Sequence, residues 1–358
     1  MARLCRAELI DPDQITLVHV VNRTVRRCFL FGDDPVSGKN FDHRKVWIEE
    51  RLERFAGCFG IDLLCFAILS NHYHLILRSR PDVVATWDDT EVARRWLMIC
   101  PPTRKKGQSA APTEAELDSI RRCPVRLAEV RRRLRSISWW MRLLNQNIAQ
   151  RANREDEQSG RFWQDRYRAT RLDDEESLLA CAAYVDLNPI RAGLAETVEA
   201  SDHTSVQRRL ESRFDVRPTS VAGCRGPRAS SATRRDAFLA KLTIEKSDAV
   251  GAVPAENGRR CSDKGFLSLS DDAYLELLDW TARQIAPGKR GSTPMRLPSI
   301  LKRLGLEQSS WCELVADFDR CFYLVAGRCD RVQSVRSHHT GRRFRVRPLA
   351  RRLLPAAA

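Results

Sequence analysis

The chain has 358 residues, 43% of them hydrophobic, and its 61 basic against 46 acidic side chains give a formal charge of +15. That length accommodates about two domains with a sizeable core, and the excess of arginine favours a polyanionic partner such as a nucleic acid. Twelve cysteines without a Cys-x-x-Cys or His-x-x-x-His pair exclude zinc fingers and argue against a disulfide framework, while the lack of a signal-like start or of an apolar run near the roughly 20 residues of a membrane span leads us to expect a cytoplasmic protein with no membrane partner.

The first element, Ile15–Val21, is rich in β-branched residues and reads as a strand. Arg23 to Phe31 follows as a basic stretch containing a turn. From Asp42 to Phe59, Val46, Ile48, Leu52, Phe55 and Phe59 recur at helical spacing, and Gly60 ends the helix. A strand pair around Ile61–Leu77 comes next, and it carries the most informative triplet, His72-Tyr73-His74. Side chains alternate faces along a strand, so the two imidazoles project the same way about 7 Å apart, close enough to converge on one divalent cation. An ordinary pair of edge-strand histidines gives the same pattern. Strand, helix, strand pair is the opening of a small α+β sandwich with helices packed on a sheet.

Val83–Cys100 has helical character, Pro101-Pro102 breaks it, and Gly107–Pro112 reads as a surface insertion. Arg121–Arg154 is the longest basic helix candidate. It holds ten arginines and one acid, Glu129, and Leu134, Ile137, Met141, Leu144 and Ile148 form its apolar stripe. Arginine at this density suits phosphate contact, and Arg131, Arg132 and Arg135 are its candidates. Gly160–Tyr167 reads as a turn and strand with aromatics between cations. Arg161, Trp163, Arg166 and Arg168 are candidates for stacking unpaired bases and neutralising phosphates; a core strand with Phe162 and Trp163 turned inward is the alternative.

Asp173–Glu176 places acids at the start of a helix that runs through Tyr184 to Leu187, with Asn188 one turn beyond the tyrosine and Pro189 ending it. Residues 201–265 read as a basic flexible linker, 266–335 as a helical accessory domain, with candidates at Asp271–Gln284, Leu297–Leu304 and Trp311–Val325, and 336–358 as a basic tail.

The letters Leu69-Ser70-Asn71-His72-Tyr73-His74-Leu75-Ile76-Leu77, then Gly160–Tyr167, then Tyr184-Val185-Asp186-Leu187-Asn188-Pro189-Ile190-Arg191-Ala192-Gly193-Leu194 together resemble the HUH endonuclease superfamily. Within it the likeness is to single-tyrosine transposases and their REP-associated relatives. It spans roughly residues 10–200, with an unusual insertion at about 83–120. The resemblance implies an α+β fold of the HUH nuclease type, a ferredoxin-like sandwich with a central antiparallel sheet. It also implies His72, His74 and Asn188 as ligands of Mg2+ or Mn2+, and Tyr184 as a nucleophile that attacks phosphorus to give a 5′-phosphotyrosine. Tyr167 is the rival nucleophile. The implied partner is single-stranded or hairpin DNA, bound by a monomer or homodimer. Two departures stand out: Tyr73 replaces the usual aliphatic residue between the histidines, and Asn188 is a weaker ligand than an acid. A catalytically idle hairpin DNA- or RNA-binding protein, and a replication initiator or relaxase, are the alternatives.

Overall fold

The computed structural model describes residues 10–102, 111–214, 234–245, 251–285, 306–337 and 346–354. Strands β1 (Leu17–Arg23), β2 (Ile61–Ile68), β3 (His72–Ser79), β4 (Arg168–Leu172) and the short β5 (Val325–Ala326) form one sheet in the order β2-β3-β1-β4-β5. Each adjacent pair among the first four is antiparallel, and β5 lies parallel to β4. The sheet is therefore mixed, which corrects the purely antiparallel expectation: its last strand comes from the C-terminal third.

Helix α1 (His43–Ala56) joins β1 to β2. It buries Ile48, Leu52 and Phe55, whereas Val46, expected on the same stripe, is 43% exposed. The run Ala67–Leu77 is a hairpin rather than one strand. Leu69 donates its amide to the His72 carbonyl at 2.9 Å, so the chain reverses through Ser70 and Asn71 and His72 opens β3. Between β3 and β4 lie α2 (Pro81–Ala85), α3 (Asp89–Ile99), α4 (Glu114–Arg121), α5 (Pro124–Leu134) and α6 (Ile137–Glu155). The long basic helix expected over Arg121–Arg154 is thus two helices, α5 and α6, with Arg121 ending α4. Pro124 lacks an amide donor and starts a new one, and Ser136 caps α6 by accepting the Trp139 amide. The apolar stripe survives the breaks: Leu134, Ile137, Met141, Leu144 and Ile148 all lie in the core with Val18, Val20, Tyr73, Leu75 and Leu77 on one sheet face. Each such side chain contributes about 1.5–3 kcal/mol by leaving water.

The opposite face is covered by α7 (Glu175–Asp186), α8 (Asn188–Arg191), α9 (Ser205–Phe214), α10 (Asp271–Ile285), α11 (Gln308–Ala316) and α12 (Phe318–Cys321), around a second core that includes Ile76, Leu179, Tyr184, Tyr274, Trp311 and Phe318. Asp174 caps α7 by accepting the Ser177 amide at 2.8 Å.

Two expected boundaries change here. In its described parts, the 201–265 segment is packed structure rather than flexible linker. β2 is an edge strand, and an open edge exposes a row of backbone donors and acceptors. The segment satisfies them: Ser205 Oγ accepts the Phe66 amide, Ile68 donates to the His203 carbonyl, and Ala240 donates to the Leu63 carbonyl. Further on, Ser262 donates to buried Asp62, which also pairs with Arg78 and Arg80, and Arg78 donates to the carbonyls of Lys264 and Gly265. Nor do 266–335 form a separate helical domain in their described parts. Tyr274 donates to buried Asp186 on α7 at 2.7 Å, and β5 completes the sheet.

The Leu297–Leu304 helix candidate, residues 215–233 of the expected linker, 103–110 of the insertion and 338–345 of the tail lie outside the described residues. Among the described residues no helix is long and apolar enough to cross a membrane, and the cysteines are free thiols.

Candidate active site

Antiparallel register places the site. His74 stands opposite Val21, and Val21 opposite Arg168, in one row across β3, β1 and β4. The next row toward the hairpin pairs His72 with Arg23, and the row on the other side aligns Ile76, His19 and Thr170. Opposed residues share a face, so His19, Arg23, His72, His74 and Arg168 all lie on the α7 side. Tyr73 points to the other core, where its hydroxyl donates to Asn145 at 2.5 Å.

The packing of α7 and α8 on this face brings Tyr184 and Asn188 to the histidines. The Tyr184 ring meets His74 edge-on with centroids 5.3 Å apart and His19 likewise at 5.9 Å. The Asn188 amide nitrogen is 3.3 Å from His74 Nε2. His72 and His74 have ring centroids 5.0 Å apart. Four positions spread over more than a hundred residues therefore converge on one spot. Tyr167 does not join them: its hydroxyl bonds Ser138 at 3.1 Å, and its ring belongs to the opposite core.

Sequence reasoning missed several participants. His19 lies parallel to His74, with His19 Nε2 3.0 Å from His74 Nδ1. Only the strand register could have shown that β1 sets it diagonally to His74. Phe318 stacks on Tyr184 at 5.7 Å and touches His19, and the next residue, Asp319, places its carboxylate charge near enough to the Tyr184 phenol to act on it. Nothing local in the sequence marks these two. Arg191 lies over the Tyr184 ring at 5.1 Å, from the same Asn-Pro-x-Arg run as Asn188.

Burial dominates the electrostatics. It lowers the His19 and His72 pKa values to about 4 and drives His74 well below the ordinary imidazole value, with Arg23 and the neighbouring imidazoles adding to the effect. All three rings are neutral at pH 7, the form in which imidazole offers a lone pair to a cation. Burial first, then the Asp319 charge, raises the Tyr184 phenol above the usual range, so the resting hydroxyl is protonated. Tyr184 is only 7% exposed.

The donor set can be tested for a cation. His72 Nδ1 faces Asn71 Oδ1 at 2.7 Å. Because an amide oxygen only accepts, that nitrogen carries the proton and Nε2 keeps its lone pair. His74, with its proton on Nδ1 toward His19, directs the Nε2 lone pair at Asn188. Turning the Asn188 amide over, a rearrangement that costs no packing, presents its oxygen to the same point. Two imidazoles and an amide fit a divalent ion. No group of three His, Cys, Asp or Glu side chains among the described residues could hold one.

The DNA-binding candidates separate into two sets. Arg131, Arg132 and Arg135 belong to α5 and its end, packed against the other face. Arg131 donates to the Val84 and Trp87 carbonyls and pairs with Asp89, Arg132 pairs with Glu129, and Arg135 with Asp13. Val84 and Trp87 follow the end of β3 remote from His72, so these arginines are far from the site and already neutralised. Trp163 is half-buried, donating to the Asn145 carbonyl at 2.9 Å and packing on Phe31, Phe162 and Tyr73. Arg161, Arg166 and Arg168 are exposed, and Arg168 stands on the site's own face.

No protein-family profile matches the chain, and no curated protein matches it in sequence. Among solved structures, one described as a REP-associated tyrosine transposase bound to a REP hairpin is similar at 12% identity and a TM-score of 0.32, covering 65% of this chain and 98% of that one.

Proposed function

We propose that the protein is a transposase-like, metal-dependent endonuclease and strand transferase acting on single-stranded hairpin DNA. The observation that carries this reading is the meeting of Tyr184 with His74 and Asn188, ring to ring at 5.3 Å and amide to imidazole at 3.3 Å. The order β1-α1-β2-β3-helices-β4, with β1 between β3 and β4, supports the ferredoxin-like arrangement of the HUH type.

In this reading His72 Nε2, His74 Nε2 and the Asn188 amide oxygen would hold the ion. Bound Mg2+ or Mn2+ would polarise a non-bridging phosphate oxygen and offset the charge gathering in the transition state. His19 fixes the His74 tautomer and Asn71 that of His72. The Tyr184 oxygen attacks phosphorus, forming the phosphotyrosyl bond as the 3′ oxygen leaves with its electron pair, and the phenol proton departs toward Asp319. The phosphodiester energy is kept in the new bond, so rejoining to another 3′-hydroxyl needs no ATP. Arg23, Arg168 and Arg191 supply positive charge around the phosphate.

The test is covalent capture. Hairpin oligonucleotides from the gene's chromosomal neighbourhood, incubated with protein and Mg2+ or Mn2+, give an adduct on a denaturing gel that Tyr184→Phe does not form. Absence of an adduct on every such hairpin sinks the enzyme. A catalytically idle hairpin-binding protein is the second reading, favoured by one observation: Phe318 covers the nearly buried Tyr184.

A further inference from the structure

The basic stretch after β1 takes no part in the chemistry above, yet its backbone is unusual. Arg26 and Arg27 are consecutive and both have positive φ, 51° and 61°. Side chains other than glycine seldom adopt that conformation, and two in succession persist only where the surroundings impose it. Here they do. The buried Thr24 donates its amide to the Asn71 carbonyl at 3.0 Å and its hydroxyl to the Cys28 carbonyl at 2.6 Å. Val25 donates to the Phe162 carbonyl, and Asn71 Nδ2 donates to the Arg27 carbonyl at 3.1 Å. That same Asn71 amide accepts from His72 Nδ1, so one side chain holds both the strained turn and a histidine of the site.

Arg26 and Arg27 are exposed, and Phe29 just after them is 38% exposed. Among the described residues neither arginine pairs with a carboxylate, in contrast to Arg131, Arg132 and Arg135. The charge of Arg27 acts on Arg23, which stands directly opposite His72. Glycine would take up these backbone angles freely; arginine does so at a cost, which is explained if the guanidinium groups are used.

We propose that Arg26 and Arg27 are positioning residues that grip the phosphates of single-stranded DNA as it enters the His72–His74 site, with Phe29 offering a face for a base. This rests on the nucleic-acid reading of that site and names the part of the surface that seats the strand.

The test uses the full chain without metal, so that cleavage plays no part. Fluorescence anisotropy follows binding of a labelled oligo-thymidylate of about 20 nucleotides across a salt series. Arg26→Gly/Arg27→Gly relieves the backbone, so the variant unfolds no earlier than wild type on heating. It is expected to bind about tenfold more weakly at about 0.1 M salt, and its log–log salt slope is shallower by about 1.4, some 0.7 for each lost contact to a single strand. Arg26→Lys/Arg27→Lys keeps most of the slope, which a purely structural role would not explain. A glycine variant with wild-type affinity and slope overturns the proposal while leaving the covalent adduct, and with it the proposed chemistry, intact. A wild-type protein that fails to bind the oligonucleotide also overturns the proposal, while the hairpin adduct separately decides the proposed chemistry.

Discussion

His19 gives the most quantitative prediction. Its imidazole is 2% exposed and, mainly through burial, has a pKa of about 4 in the folded chain against 6.5 for the free side chain. Between those values the unfolded chain binds a proton that the folded chain refuses, so stability falls as pH drops from 6.5 and levels off below about 4. It is fully present above pH 6.5. Linkage with these two constants gives a loss of about 2 kcal/mol between about pH 7.5 and pH 5 from His19 alone. Glutamine at position 19 fills similar space and can accept from His74 Nδ1 through its side-chain oxygen but does not titrate. Urea unfolding of wild type and His19→Gln at the two pH values, followed by circular dichroism, measures the difference. Wild type loses about 2 kcal/mol more than the variant on acidification. An equal pH response in both proteins would refute the argument that His19 is held neutral by burial against His74.

Other predictions concern the contacts that bring the C-terminal third to the site. Asp319→Asn removes the charge that helps raise the Tyr184 phenol, so ultraviolet absorbance should show tyrosinate forming at lower pH than in wild type. Phe318→Ala empties a site that is 1% exposed between Tyr184 and His19; urea melts should show a cost of about 3–5 kcal/mol, and tyrosine accessibility to nitration should rise. Asp186 accepts from Ser205, Tyr274 and the Val206 amide while fully buried, so Asp186→Ala strands those donors and should destabilise by about 3 kcal/mol in the same melts. Asp62→Ala leaves Arg78 buried without its carboxylate and Arg80 with Asp82 alone; limited proteolysis should then cut within 251–267 where wild type resists.

Local chemistry made several features legible in the sequence. The period-two alternation of β1 and β3, the apolar stripe Leu134–Ile148, the acidic cap at Asp174 and the one-turn spacing of Tyr184 and Asn188 are all set by residues within reach of one another along the chain. The same reasoning failed where two signals of equal kind competed. Arg121–Arg154 has an unbroken helical stripe, yet the missing amide of Pro124 and the cap at Ser136 divide it. Residues 201–265 have the composition of a linker, because polar Ser, Thr and Arg side chains are what an edge strand needs to satisfy its backbone, and solvent asks for the same residues.

The sequence by itself determined that two histidines share a strand face, that a tyrosine and an asparagine share a helix face, and that the chain is rich in arginine. Tertiary structure alone decided that these faces meet. It also decided that His19 and Asp319 join them, and that the arginines of α5 are spent on carboxylates and carbonyls while, among the described residues, Arg23, Arg26 and Arg27 beside His72 pair with no carboxylate. Periodicity is a property of neighbours, but register across a sheet and the covering of an edge depend on contacts between residues up to 200 positions apart, and no local pattern encodes those.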